Sequence, residues 1–230
     1  MTVFAKIKKM GDINMYLTFD CYGTLLNEEG LYSKVAEIAN KLGVDGPTAR
    51  KWFITYLDDR NHMVPYLDYD RLVRQTLTEM DKHFDLAHKF EEHYVEVLQA
   101  IRDLKPFPEV VSTLNELIKR GDHLIAMSNS SWPIITANVA ALENPFEDII
   151  IAETTHAYKP DLQFFQYVQK KYNFTAENHI HIAQGFSSDI VAAKQMGWPS
   201  IWVNRANEKP FGGVEPTHTV KKLDEVLNLI

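Results

Sequence analysis

Apolar positions recur along this chain with two different spacings. Met15, Tyr16, Leu17, Thr18 and Phe19 form a short, nearly continuous apolar run, which predicts a buried strand. From Glu28 to Leu104 the spacing is helical. The stretch "LYSKVAEIANKLG" places Leu31, Val35, Ile38 and Leu42 on one face and stops at Gly43. "PTARKWFITYLDDR", "YDRLVRQTLTEM" and "HKFEEHYVEVLQAI" behave alike, with Pro47 and Pro65 at the breaks. After "LKPFPEV" the rhythm changes to strand and helix in alternation. The runs His123–Ser128, Asp148–Glu153, His179–Gln184 and Ser200–Arg205 predict four more strands. Helical stretches over Trp132–Leu142, Leu162–Tyr172 and Ser188–Met196 separate them, and Gly197 closes the last.

Short apolar strands that alternate with helices imply a parallel sheet covered on both faces. The first strand belongs to that sheet, so the helical block is an insertion, with Pro106 and Pro108 at the return. The expectation is an α/β protein: a Rossmann-like parallel core over residues 1–27 and 105–230, with a helical cap over 28–104. The 230 residues suffice for one large core plus a small second domain. A formal net charge of −7 and the lack of a basic cluster argue against nucleic acid or an anionic membrane as partner. No apolar run approaches the roughly 18 residues of a membrane span. The opening "MTVFAKIKKMGDIN" reads as a short lead-in and not as a signal peptide. Cys21 is the only cysteine, so no internal disulfide forms, and a cytoplasmic location is the default. A small-molecule substrate and a monomer or homodimer complete the expectation.

In an open parallel sheet, ligands bind beyond the carboxyl ends of the strands. The first strand ends "FDCYGT", the next "MSNSS", the third runs into "TTHAYKPD", and the fourth ends "AQGFSSD". One edge therefore collects Asp20, Thr24, Ser128, Asn129, Lys159 and Asp189. A carboxylate held rigid and partly dried is a usable nucleophile. Gly23 permits a tight turn behind it, Lys159 would keep Asp20 ionised, and Ser128 and Asn129 would bind charge on a substrate. Each residue also has a plainer reading. Asp20 is a turn residue or helix cap, "SNSS" a polar loop, Lys159 a surface residue and Asp189 a cap. The four together, in order on successive strand ends, favour the site. Trp52, Phe53 and Tyr56 read as cap core, and "PYLDY" as a lid or a helix connection. His179 and His181 share one side of a strand, but with His156 they make no metal set.

The segments "FDCYGTL", "MSNSS", "YKPD" and "SSDIVAAKQMGW", in that order, resemble the four motifs of the haloacid dehalogenase-like hydrolase superfamily. The insertion matches the cap that many members carry. By that resemblance Asp20 is the nucleophile, Thr24 the threonine of the first turn, Ser128 and Asn129 the second motif, Lys159 the third-motif lysine and Asp189 the later acid of the fourth.

Two departures from the phosphatase pattern carry the functional expectation. Phosphatase members have a second aspartate two residues after the nucleophile; here it is Tyr22. Their earlier fourth-motif acid, a magnesium ligand, is here Gln184. Magnesium wants charged oxygens, so no metal or other cofactor is expected, and magnesium enters only under a phosphatase alternative. A tyrosine at this position is similar to the 2-haloacid dehalogenase branch, in which the aspartate displaces halide and the resulting ester is hydrolysed. Here too the match is partial: Phe165 stands where that branch has a tyrosine, and Gln184 and Phe186 where it has serine and asparagine. Arg50, with Tyr56 following, is either the counterpart of the halide-binding cap arginine or a solvated helix residue. Three functions remain: a metal-independent dehalogenase-type hydrolase in which Tyr22, Ser128, Asn129 and Arg50 bind substrate, a phosphatase of a small metabolite, and a non-catalytic member of the fold.

Overall fold

The computed structural model describes residues 15–59 and 64–230; the lead-in and the end of the "YLDDR" stretch, at Arg60, lie outside them. Six strands form one parallel sheet. They are β1 (Tyr16–Phe19), β4 (His123–Ser128), β5 (Asp148–Ile151), β6 (His179–Ala183), β7 (Ser200–Val203) and β8 (His218–Val220). The order is β5-β4-β1-β6-β7-β8, so chain direction across the sheet reverses beside β1. That reversal opens a crevice at the carboxyl end of β1, where ligands sit in such sheets. Leu17 and Phe19 of β1 are buried, as is every residue of β6. Burial on both faces is what made these strands legible as continuous apolar runs. β8, "HTV", is too short and too polar to stand out that way.

A second, two-stranded ladder joins the core to the insertion. β2 (Leu26–Asn27) pairs antiparallel with β3 (Lys105–Pro106), Leu26 facing Pro106 and Asn27 facing Lys105. Between them lie the cap helices α1 (Glu29–Lys41), α2 (Gly46–Asp58), α3 (Tyr69–His83) and α4 (Tyr94–Arg102). α1 buries Leu31, Val35, Ile38 and Ala39, the stripe that the sequence spacing indicates. Pro47 lies inside α2, in its first turn, where its missing N–H costs nothing, and Asp45 accepts from Thr48 N at 2.9 Å to cap it. In α3, Asp81 is buried but accepts from the Phe90 and Glu91 amides at 2.7 and 3.0 Å. Trp52 stacks on Tyr56 and His83, and Phe53 is core.

The core helices are α5 (Val110–Lys119), α6 (Trp132–Ala141), the single turn α7 (Ala152–Thr155), α8 (Leu162–Tyr172) and α9 (Val191–Gln195). The expected helix over Ser188–Met196 begins earlier, as a wide π turn over Phe186–Ile190. Gly185 is required at its start: a Cβ there would stand 2.2 Å from Ser188 Oγ and 2.6 Å from Asp189 Oδ2. No helix among the described residues is long and apolar enough to cross a membrane.

Candidate active site

The carboxyl edge of the sheet gathers a buried ionic cluster. Asp20 follows β1, and its amide donates to Ile182 O at 3.1 Å, which locks the backbone to β6. Gly23, with φ of +74°, lets the chain turn back immediately behind it. Thr24 Oγ1 then donates to Asp20 Oδ2 at 2.6 Å and accepts from Gln184 N at 2.7 Å. Lys159 enters from the loop after α7. Its Nζ donates to Asp20 Oδ1 at 2.8 Å, Asp189 Oδ1 at 2.6 Å and Met127 O at 2.9 Å. A buried ammonium thus bridges two carboxylates. Burial pushes the Asp20 carboxyl up from its ordinary value, Lys159 opposes the rise and Asp189 adds to it. Asp189 is held well below the usual carboxylate range: Lys159 and His181 outweigh its burial. The lysine's own affinity for its proton is raised by the two acids in spite of burial.

Asp189 is fixed from its other side as well. Ser188 Oγ donates to its Oδ2 at 2.6 Å, and His181 Nε2 lies 3.0 Å from Oδ1. Thr18 Oγ1 bonds His181 Nδ1 and His179 Nε2, each at 2.8 Å. Burial and the neighbouring His181 drive the His179 imidazole well below its ordinary value, so it stays neutral. The two histidines do share a strand face, and they form a hydrogen-bonded file that ends on Asp189.

A cavity of about 430 Å³ opens above Asp20. Lys159, Asn129, Gln184 and the Gly185–Ser188 segment contribute from the core; Glu28, Tyr32, Leu57, Asp58 and Tyr69 contribute from the cap side. Tyr22 lines it with its ring only. Its hydroxyl donates to Asn138 Oδ1 at 2.9 Å and lies 2.8 Å from Ser130 Oγ, and burial raises its pKa far out of range for proton transfer at neutral pH. Asn129 lines the cavity too, but its amide clamps the lysine: Oδ1 accepts from Lys159 N at 2.7 Å and Nδ2 donates to Lys159 O at 3.0 Å.

Four expected site residues do not reach the cavity wall. Thr24 is fully buried behind Asp20, to which it donates. Ser128 ends β4 fully buried, with its Oγ unpartnered. Asp189 is 1% exposed and sits behind Lys159. Arg50 lies on the outer side of α2, where it pairs with Glu29 at 2.6 Å and borders a separate groove with Lys51 and Thr55. Ile54, Leu57 and Asp58 are the α2 residues that line the cavity, and Ile54 borders the outer groove as well. Conversely, sequence reasoning passed over Glu28, Tyr32, Asp58 and Glu208, and it gave Tyr69 of "PYLDY" and Tyr158 of "YKPD" no role of their own; all six are on the wall. Cys21, beside Asp20, is no rival nucleophile, because burial pushes its thiol up to about 12.

The haloacid dehalogenase-like hydrolase family matches residues 15–197. The chain belongs to that family. It is 26% identical over 219 residues to an (S)-2-haloacid dehalogenase of Pseudomonas putida, covering 92% of this chain and 94% of that one. Haloacetate dehalogenase H-2 of a Moraxella species is 26% identical over 229 residues, at 93% and 96% coverage. Among solved structures, the L-2-haloacid dehalogenase of Xanthobacter autotrophicus superposes with a TM-score of 0.80 at 19% identity, covering 94% of this chain and 98% of that one, a likeness of fold. The protein is therefore a hydrolase with an α/β core and a helical cap.

Proposed function

We propose that this hydrolase cleaves a carbon–halogen bond through a covalent ester on Asp20, without a metal ion. Asp20 Oδ displaces halide from a carbon next to a carbonyl, and the halide leaves with the bonding electron pair. Water then adds to Asp20 Cγ, the Cγ–O bond to the substrate breaks, and a hydroxy product departs. The supporting observation is the way Asp20 is held: Lys159 and Thr24 each take one oxygen, both donors are buried, and the carboxylate edges the cavity. Drying raises its affinity for a proton and also its reactivity toward carbon, while the ammonium keeps it ionised.

The donor set does not fit magnesium. Gln184 offers a neutral amide, the Asp189 oxygens are taken by Lys159, His181 and Ser188, and Lys159 Nζ stands between the two acids. Among the described residues no group of three or more His, Cys, Asp or Glu is arranged to hold a metal. The lining carries Glu28, Asp58 and Glu208 beside the single Lys159, so the wall suits a small substrate with one negative charge at most.

The test is halide release from L-2-chloropropionate and from 2-chloropropionamide in the presence of chelator. Release by the wild type, with turnover falling by about 10⁴-fold or more in Asp20→Asn, is the expected result. No halide from either compound, or turnover that chelator removes, overturns the reading.

A further inference from the structure

Behind the site, a threonine and two histidines form a file whose direction follows atom by atom. Thr18, His179 and His181 stand on the adjoining strands β1 and β6, all fully buried. Thr18 Oγ1 lies 2.8 Å from both His179 Nε2 and His181 Nδ1, and His181 Nε2 lies 3.0 Å from Asp189 Oδ1. The far end of the file is closed. The His179 ring stacks on Phe174 with centroids 3.9 Å apart, and Trp198 meets it edge-on at 4.6 Å. Its Nδ1 has no hydrogen-bond partner among the described residues. Burial above all keeps this ring neutral, so His179 has one proton to place. On Nδ1 it would be an orphaned buried N–H; on Nε2 it donates to Thr18. The Thr18 hydroxyl therefore accepts from His179 and sends its own proton to His181 Nδ1. That nitrogen carries no proton, so the His181 N–H is on Nε2 and donates to Asp189. Each donor in the file points the same way, from the closed end to the carboxylate.

Asp189 is held unevenly as a result. Oδ1 takes two donors, Lys159 Nζ at 2.6 Å and His181 Nε2 at 3.0 Å, whereas Oδ2 takes only Ser188 Oγ, at 2.6 Å. Oδ2 keeps a vacant lone pair. It lies 2.6 Å from the point where Gly185 would carry a Cβ, so it sits against the Gly185–Ser188 segment that lines the cavity. The three protons of Lys159 Nζ go to Asp189 Oδ1, to Asp20 Oδ1 at 2.8 Å and to Met127 O at 2.9 Å. The ammonium has no further proton with which to follow Asp189 if that carboxylate turns about its Cβ–Cγ bond. Only an Asp189 of fixed roll keeps Lys159 on the nucleophile.

We propose that Thr18 and His181 are positioning residues of this active site: their one-way file fixes the roll of the Asp189 carboxylate, which keeps Lys159 on Asp20 and leaves the vacant Oδ2 lone pair on the cavity side. Neither residue lines the cavity, so both act through Asp189. His179 closes the file and sets its direction. The kinetic consequence rests on the covalent reading above, whereas the direction of the file does not.

Nitrogen-15 NMR of the full-length enzyme reads the direction. Both imidazoles are expected as the Nε2–H tautomer, and a proton on Nδ1 of either overturns the file. Halide release from whichever α-chloro compound the wild type turns over reads the consequence. Thr18→Val keeps the shape and removes the hydroxyl. Its kcat should fall about 10–100-fold, the worth of one hydrogen bond to a charged group, with KM within about twofold of the wild type. Thr18→Ser should recover the rate to within about threefold. His181→Gln, whose amide can donate from the place of Nε2, should turn over about tenfold faster than His181→Leu. Where Thr18→Val does not fold, the two His181 variants decide. A folded Thr18→Val with kcat within twofold of the wild type, a loss that Thr18→Ser does not recover, or His181→Gln no faster than His181→Leu overturns the positioning role. Absence of halide from the wild type sinks the covalent reading and leaves the tautomers to be decided by NMR, so the two failures are distinct.

Discussion

The floor and the hinge-side wall of this cavity treat negative charge in opposite ways. On the floor, Asp20 and Asp189 share one ammonium, and Thr24, Ser188 and His181 supply further bonds. Each oxygen there has a donor. On the wall, Glu28 has one hydroxyl and no described cation. The surroundings therefore give opposite results: the buried Asp189 falls well below the ordinary range while the half-buried Glu28 rises to about 7. Two acids of one site are thus pushed apart by what surrounds them. A carboxylate with a donor on each oxygen fixes charge and geometry; one with a single donor takes up a proton more readily.

The largest effect should come from removing the floor's cation. Lys159→Met leaves two buried carboxylates facing each other, and breaking a buried pair in this way costs about 3–5 kcal/mol. Asp189 is held low in the folded chain, so its contribution is present above its ordinary 3.8 and lost as pH falls through its folded value. In the variant that contribution is gone, and the stability gap to wild type should narrow as both acids take protons. Urea unfolding between pH 4 and 7.5 measures this. A loss under about 1 kcal/mol throughout would mean that water, and not Lys159, neutralises the floor.

A smaller effect of opposite sense is expected on the wall. A carboxyl lifted from 4.5 to about 7 holds its proton more tightly when folded. Its favourable contribution to folding is complete below pH 4.5 and is lost as pH rises through about 7. Glu28→Gln cannot ionise, so it should match the wild type at pH 4.5 and exceed it at pH 8 by on the order of 2 kcal/mol, after discount for partial exposure. Thermal unfolding across that range reads the difference without reference to catalysis. Curves that run parallel at every pH would show that Glu28 is solvated and that wall and floor are not distinct.

The same contrast explains what the sequence made legible. Asp20, Thr24, Lys159 and Asp189 each follow a strand or its loop by a few residues, so strand assignment alone brings them to one edge. The sheet's parallel order and the inserted helices followed from the same alternation. The side of a helix that faces a cavity is another matter. Arg50 and Leu57 belong to one helix, and only tertiary packing decides that the first looks out and the second in. Glu28 was hidden for a related reason. In "LLNEEG" an acid ahead of a helix reads as a cap, and nothing local reveals that Asn27 does the capping. The Thr18 file stayed unread because a threonine inside an apolar strand does not announce two histidines opposite.

Arg50 supplies the smallest predicted effect and a control on the whole division. Its guanidinium meets Glu29 on the outside of the cap, with side-chain exposures of 35% and 54%. An exposed pair of this kind contributes about 0–1 kcal/mol, and its charge is screened from the cavity by solvent and by α2 itself. Arg50→Gln should accordingly leave kcat and KM for the α-chloro substrate within about twofold of wild type, with stability changed by less than 1 kcal/mol. A KM for 2-chloropropionate raised tenfold, with no such rise for the uncharged amide, would place the guanidinium against the substrate's carboxylate. It would show that the cap rotates on the β2–β3 ladder to deliver Arg50 inward, and the charge of the wall would then have to be counted again with a second cation in it.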